Sequence, residues 1–328
     1  MKEKHYWETP YIKWARDATD EIEYLICYIR TSRQKSRVPA ILEALTVLED
    51  LEAKATLSGP LADIKGVFWI ILPSNKVQSA IERLPRLGYT TAVDLLVKKA
   101  EYTGIEQQLQ KTRWRGNDFE LLPVYREDVD LSRLRNPDQR LFTLQTGDGV
   151  FRAIKGYRGD GSPLGRRALP VCDAKLLVNL AFISSSNKVV RFLDPFAGAG
   201  GIVLEALSTR ILTLSIDIDP TLRKGLDKLG SYHSVADATS LPFADNSFQL
   251  IATEPPYASI SKIYLVKAFH EFFRALKPKG RISILCAKWQ ASMLRSAMSN
   301  LGMEMILDSD INRKGTDVVI LVAQKENS

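Results

Sequence analysis

Cysteine and histidine are scarce in this chain, at three each in 328 residues. Cys27, Cys172 and Cys286 stand far apart, without the spacing of a metal site or a disulfide framework, and neither His233 nor His270 falls in a recognisable ligand set. No metal is expected, and a reducing compartment is. Long apolar runs are missing as well. Nothing approaches the length of a membrane span, and the opening residues Met1 to Trp7 lack the apolar core of a signal peptide. A cytoplasmic protein that does not enter a membrane is the expectation. Internal repeats and low-complexity segments are absent too. Acids are in deficit, 38 against 45 lysines and arginines, for a net charge of +7. That balance leans toward a polyanionic partner, although an ordinary basic soluble protein would share it.

What is present concentrates between Val189 and Leu207. Val189, Val190, Phe192 and Leu193 form an apolar run that ends in Asp194. Phe196 follows, then Gly198, Gly200 and Gly201, then Ile202, Val203, Leu204 and Leu207 at helical spacing. This is the pattern of a buried strand, a glycine-rich turn and a helix start, where backbone can approach a nucleotide-like ligand closely. A tight turn with no ligand would read the same, but the next strand candidates narrow the choice. Thr213 to Ile216 leads into Asp217, about twenty residues on, where a Rossmann-type fold places a carboxylate for ribose hydroxyls. Asp237 follows another short strand candidate, and Phe248 to Thr253 runs directly into Glu254-Pro255-Pro256-Tyr257. Asp194, Asp217, Asp237 and Glu254 each end a strand candidate, so four acids converge on one rim of an open α/β sheet, where such folds bind ligands. Helix capping explains one such acid more easily than four, and it is the role expected of Asp219, just ahead of Pro220.

The rest of the chain divides by composition. Residues 1–130 read as a small α/β accessory domain. Strand candidates at Tyr24–Ile29, Val67–Leu72 and Thr91–Val97 alternate with helical spacing over Ile41–Leu51 and Lys76–Leu87, which suggests a ferredoxin-like layer. Within it, Arg113-Trp114-Arg115 sets an aromatic ring between cations, either a base-stacking contact or a solvated loop around a half-buried tryptophan. Residues 131–165 are a basic hairpin and linker, with strands flanking Gly147-Asp148-Gly149. Arg152, Lys155 and Arg158 in it, with Arg166 and Arg167 beyond, could track a phosphate backbone or simply solvate a connector. Residues 166–328 are the candidate catalytic domain. It opens with an apolar-faced helix over Ala168–Ser184, has a helix over Ile263–Leu276 stopped by Lys277-Pro278-Lys279-Gly280, a strand over Arg281–Cys286 and a helix over Ser292–Leu301.

The motifs Asp194-Pro195-Phe196-Ala197-Gly198-Ala199-Gly200-Gly201, Asp217-Ile218-Asp219-Pro220, Asp237-Ala238 and Glu254-Pro255-Pro256-Tyr257, in this order, resemble a class I S-adenosylmethionine-dependent methyltransferase. Among these the chain is most similar to the THUMP-associated RNA guanine-N2 methyltransferases, although no THUMP signature is legible in its first part. The resemblance implies a Rossmann-like α/β domain closed by an antiparallel pair, Met303–Leu307 with Val318–Ala323, behind an N-terminal α/β domain. It implies S-adenosylmethionine as cofactor: Gly198 and Gly200 beside its methionine part, Phe196 in the same turn, Asp194 toward its amino group, Asp217 on the ribose hydroxyls, Ile218 against the adenine face, and Asp237 with Ala238 at the adenine edge. It further implies methyl transfer to an exocyclic base amine, most simply guanine N2 in tRNA. There the Glu254 side chain and the Pro255 carbonyl accept the amine protons, Pro256 stiffens the loop and Tyr257 stacks on the base. Position 254 departs from the family, which has Asp or Asn there, one methylene shorter. A DNA adenine-N6 or cytosine-N4 methyltransferase would use the same chemistry, and a non-catalytic RNA-binding member is the alternative of another class. A partner-activating role goes with that last alternative, and the sequence also leaves open an activating protein subunit for this chain.

Overall fold

The computed structural model describes residues 22–57, 66–98, 119–127, 141–146, 149–154, 169–182, 190–257, 260–313 and 315–327, without the side chains of residues 119, 120, 122, 141–154, 224 and 228. It divides into two compact units, one taking residues up to Ser32 and Ser36–Glu127, the other Arg33–Lys35 and Asp128–Ser328. Among the described residues no helix is long and apolar enough to cross a membrane.

The first unit contains strand β1 (Ile22–Ile29), helix α1 (Arg37–Val47), strands β3 (Lys54–Thr56) and β4 (Val67–Pro73), helix α2 (Val77–Arg83), and strands β5 (Thr90–Lys98) and β6 (Phe119–Arg126). The sheet order is β3-β4-β1-β5-β6, antiparallel throughout. The first four strands with their two helices form the split β-α-β arrangement of a ferredoxin-like layer, and β6 extends one edge. The sequence pattern missed β3 and β6, which are short or mixed in polarity. From Val67 to Leu72, β4 is buried at every residue, as befits a strand covered on both faces. Glu43 is buried on α1, where its two carboxylate oxygens accept the Gly88 and Tyr89 amides at 2.7 and 2.9 Å.

The second unit holds an eight-stranded sheet. Its strands are β2 (Arg33–Gln34), β9 (Arg191–Asp194), β10 (Leu212–Asp217), β11 (Tyr232–Val235), β12 (Phe248–Thr253), β13 (Leu276–Ala287), β14 (Met303–Arg313) and β15 (Thr316–Lys325). They lie in the order β11-β10-β9-β12-β13-β15-β14-β2, with the first five parallel and the last three pairings antiparallel. Counted along the parallel part this is the 3-2-1-4-5 order of a doubly wound sheet. The connections reverse direction between β9 and β12, so the crevice for a ligand opens beyond the carboxyl ends of those two strands. The helices are α3 (Val171–Ala181), α4 (Gly201–Ser208), α5 (Arg223–Leu229), α6 (Lys262–Ala275) and α7 (Lys288–Asn300). A hairpin, β7 (Leu141–Thr146) with β8 (Gly149–Ile154), pairs around the turn that the glycines announced.

Helix α6 shows how sequence becomes packing. Leu265, Ala268, Phe269, Phe272 and Ala275 recur at three- and four-residue spacing and are buried against the sheet, while Ser261 caps the helix by accepting the Tyr264 amide. The stop signal after it does not make a free loop. Residues Lys277–Gly280 open strand β13 as an irregularity, between the pairs Phe248–Leu276 and Leu250–Arg281. The closing antiparallel pair is also much longer than expected, because Asp308 to Arg313, polar apart from buried Ile311, continue β14 past Leu307.

Candidate functional site

The crevice begins at the turn between β9 and α4. Gly198 and Gly200 hold φ of +48° and +81°, which strain any residue with a Cβ. Their surroundings differ. A Cβ on Gly198 would meet nothing nearer than 3.9 Å, whereas one on Gly200 would sit 2.8 Å from Leu229 and 2.9 Å from Leu226. Gly198 therefore borders open space, and Gly200 lets the turn press on α5. The resemblance places both beside the cofactor, and at Gly200 the direction a Cβ would take is filled by leucine.

Four acids stand along the rim. Asp194 is 1% exposed; its Oδ1 accepts Thr253 Oγ1 at 2.9 Å and the Phe196 amide at 3.2 Å, and its Oδ2 is buried with no donor among the described residues. Burial pushes the carboxyl up to about 7, partly offset by the Thr253 and Phe196 hydrogen bonds. Asp217 ties the first two parallel strands together, accepting the Gly198 amide at Oδ2 (2.8 Å) and the Asp219 amide at Oδ1 (3.0 Å). Asp237 takes three donors on Oδ1: the Thr239 amide and hydroxyl, both at 2.8 Å, and Tyr264 OH at 2.7 Å. The Thr239 amide first, then the Tyr264 hydroxyl, hold its carboxyl below the usual range. Asp219 caps the turn after β10, accepting the Thr221 amide at 3.0 Å, as expected. So each rim acid also organises its own loop, a structural task additional to any ligand contact. Beside them Ile218 is 63% exposed, a large apolar side chain left in water, while Ala238 is buried and Phe196 packs edge-on against Phe272.

These residues suit S-adenosylmethionine. A buried carboxylate oxygen without a donor is costly until a cationic N–H reaches it, which the ammonium of a methionine moiety would do. An exposed isoleucine gains from being covered by a flat ring. Asp217 and Asp237 keep acceptor capacity for hydroxyls and an amine.

The fourth acid follows β12. Pro255 is buried, Pro256 is exposed, and its carbonyl accepts Gln290 Nε2 at 3.0 Å, with Gln290 in turn accepting the Ala287 amide at 2.9 Å. The start of α7 thus pins the Pro-Pro segment. Glu254 Oε1 accepts the Tyr257 hydroxyl and Arg313 Nη1, the latter at 3.0 Å. Arg313 Nη1 also donates to Tyr257 OH at 3.3 Å. Burial, then the Glu254 charge, push the Tyr257 phenol far up, so it stays a donor. The ring expected to stack on a base therefore has its hydroxyl committed to the carboxylate. Among the described residues nothing donates to Glu254 Oε2 or to the Pro255 carbonyl.

Behind this clamp, Arg313 Nε lies 3.3 Å from Asp173 Oδ2, and Arg33 grips Asp173 with a two-pronged fork, Nε to Oδ1 and Nη2 to Oδ2, each 2.8 Å. Sequence reasoning missed Arg313, Asp173, Arg33, Thr253, Tyr264 and Gln290. Only Tyr264 carried a usable signal, as an aromatic in the first turn of a helix beginning just beyond the Pro-Pro motif. Of the proposed nucleic-acid contacts, Arg113, Trp114, Arg115, Lys155, Arg158, Arg166 and Arg167 lie outside the described residues. Arg152 sits on β8, described for its backbone alone.

Residues 193–284 match the family described as "Methyltransferase domain". The tRNA (guanine(10)-N2)-dimethyltransferase of Pyrococcus abyssi is 32% identical over 112 residues, covering 31% of this chain and 32% of that protein. The chain thus spans about a third of the length of that curated relative. Among solved structures, TrmN from Thermus thermophilus is 20% identical with a TM-score of 0.46, covering 92% of this chain and 99% of that one. The T. thermophilus 16S rRNA N2 G1207 methyltransferase in complex with AdoMet and guanosine is 21% identical with a TM-score of 0.37, covering 58% of this chain and 46% of that one. The family match runs across the glycine turn and the four strand-end acids on the 3-2-1-4-5 sheet, so residues 193–284 of the second unit carry a methyltransferase domain, in keeping with the resemblance to class I S-adenosylmethionine-dependent methyltransferases.

Proposed function

We propose that this domain methylates an exocyclic base amine of RNA, the guanine N2 of a tRNA. The observation that carries the reading is the pair of acceptors just past the end of β12, the Glu254 carboxylate and the Pro255 carbonyl, next to β9 with its buried terminal Asp194. A base amine is a poor nucleophile because its lone pair is delocalised into the ring. Two acceptors that take both its protons favour the pyramidal form and direct the lone pair into the crevice. S-adenosylmethionine supplies a methyl on a sulfonium, whose sulfur leaves with the bonding pair as a neutral thioether. The Glu254 carboxylate offsets the positive charge that develops on nitrogen and takes the amine proton once the N–C bond has formed, passing it to water. Asp194, Asp217 and Asp237 would hold the cofactor in the crevice beyond these strands.

The choice of guanine N2 and of tRNA is supported by the P. abyssi relative's activity and by the net charge of +7. Glu254→Ala is expected to abolish methyl transfer to unmodified tRNA while the dissociation constant for S-adenosylmethionine changes by no more than about threefold. Collapse of cofactor binding in that variant would refute the role given to Glu254.

A further inference from the structure

We propose that Arg313 is a positioning residue that draws the Glu254 carboxylate back by one oxygen and leaves the other for substrate; this rests on the amine-methylation reading above. Glutamate reaches about 1.5 Å further than aspartate, one C–C bond. Left free, its carboxylate would swing among several rotamers. Two groups converge instead on one oxygen, Arg313 Nη1 at 3.0 Å and the Tyr257 hydroxyl, so Oε1 is anchored and Oε2 is left for substrate. The anchor is itself fixed. The Arg313 Nη1 serves Glu254, and its Nε lies 3.3 Å from Asp173, which is 1% exposed and gripped by the Arg33 fork. Two arginines and two acids make a cluster with no net charge, drawn from β2, α3, β14 and the loop after β12. Lysine, a single point charge, could not bridge both acids.

The test is a double-mutant cycle with unmodified total tRNA as acceptor, in wild type, R313M, E254D and R313M/E254D. Single-turnover transfer, S-adenosylmethionine affinity and thermal midpoint are read for each. R313M is expected to slow transfer about 100-fold with cofactor affinity within about threefold, and to cost under about fivefold in the E254D background, where no long acid needs drawing back. Equal losses in both backgrounds, or a parallel loss of cofactor affinity, would make Arg313 a structural residue and overturn the proposal. If R313M does not fold, R313K replaces it, with about a tenfold loss expected in the wild-type background and none in E254D. Should the wild type bind cofactor yet methylate no tRNA guanine, the functional reading fails by itself. The positioning is then judged from crystal structures of wild type and R313M: a Glu254 carboxylate displaced by about 1 Å or more supports it, and an unmoved one overturns it.

Discussion

Between the Thr253 hydroxyl and the Phe196 amide, Asp194 keeps one carboxylate oxygen buried with no donor among the described residues. Its carboxyl, pushed up to about 7 by burial, stays protonated in the folded protein over a range where the unfolded chain has already lost the proton, from about 4 upward. Its contribution to folding therefore falls as pH rises from about 4 to about 7 and stays low above that. Cofactor-free Asp194→Asn is expected to melt higher than wild type at pH 8 and level with it near pH 4.5, in thermal scans across pH. S-adenosylmethionine affinity should move the other way in wild type, rising through pH 7 as the carboxylate forms, and Asp194→Asn should weaken it at least about tenfold at pH 8. Tyr264→Phe removes one of three donors to Asp237, and a cofactor affinity lower by about threefold to tenfold, read by calorimetry, is the expected result. The rim acids were legible because each ends an apolar run. Arg313, Asp173 and Arg33 were not, because their partners lie 56 to 140 positions away and nothing local marks them.

The two glycines of the β9–α4 turn make separable predictions at the scale of the element. Gly200→Ala drives a Cβ to within 2.9 Å of Leu226 and Leu229 at φ +81°, and should destabilise the protein by about 2–3 kcal/mol in denaturant unfolding. Gly198→Ala meets open space and only the cost of φ +48°, about 1 kcal/mol, but should weaken cofactor binding more than Gly200→Ala does. The reverse ranking would mean the ligand lies elsewhere on the turn. Elements with clean periodicity, such as α6 and the parallel strands, were readable. Strand β14 was not beyond Leu307, since Asp308, Ser309 and Asp310 alternate with little apolar content, and pairing with β15, joined by β2 at Asn312 and Arg313, carries the strand on to Arg313. For the same reason β13 begins earlier than its proline and glycine suggested: the sheet absorbs the turn residues as an irregularity.

For the whole molecule, the ferredoxin-like layer and the doubly wound sheet follow from the order of strand and helix signals, whereas strand order needs the tertiary pairing. Net charge of +7 makes a further expectation: tRNA affinity should fall linearly with the logarithm of salt concentration, and Lys or Arg substitutions in the basic hairpin should flatten that slope. The claim that everything else depends on is the acceptor atom. The protein is to be incubated with isotopically labelled S-adenosylmethionine and, separately, unmodified total RNA and DNA, and the labelled nucleosides identified by mass spectrometry. Label in N2-methylguanosine from the tRNA fraction, absent with Glu254→Ala, is the predicted result; label in methyladenine or methylcytosine from DNA, or none in any fraction despite bound cofactor, would contradict it.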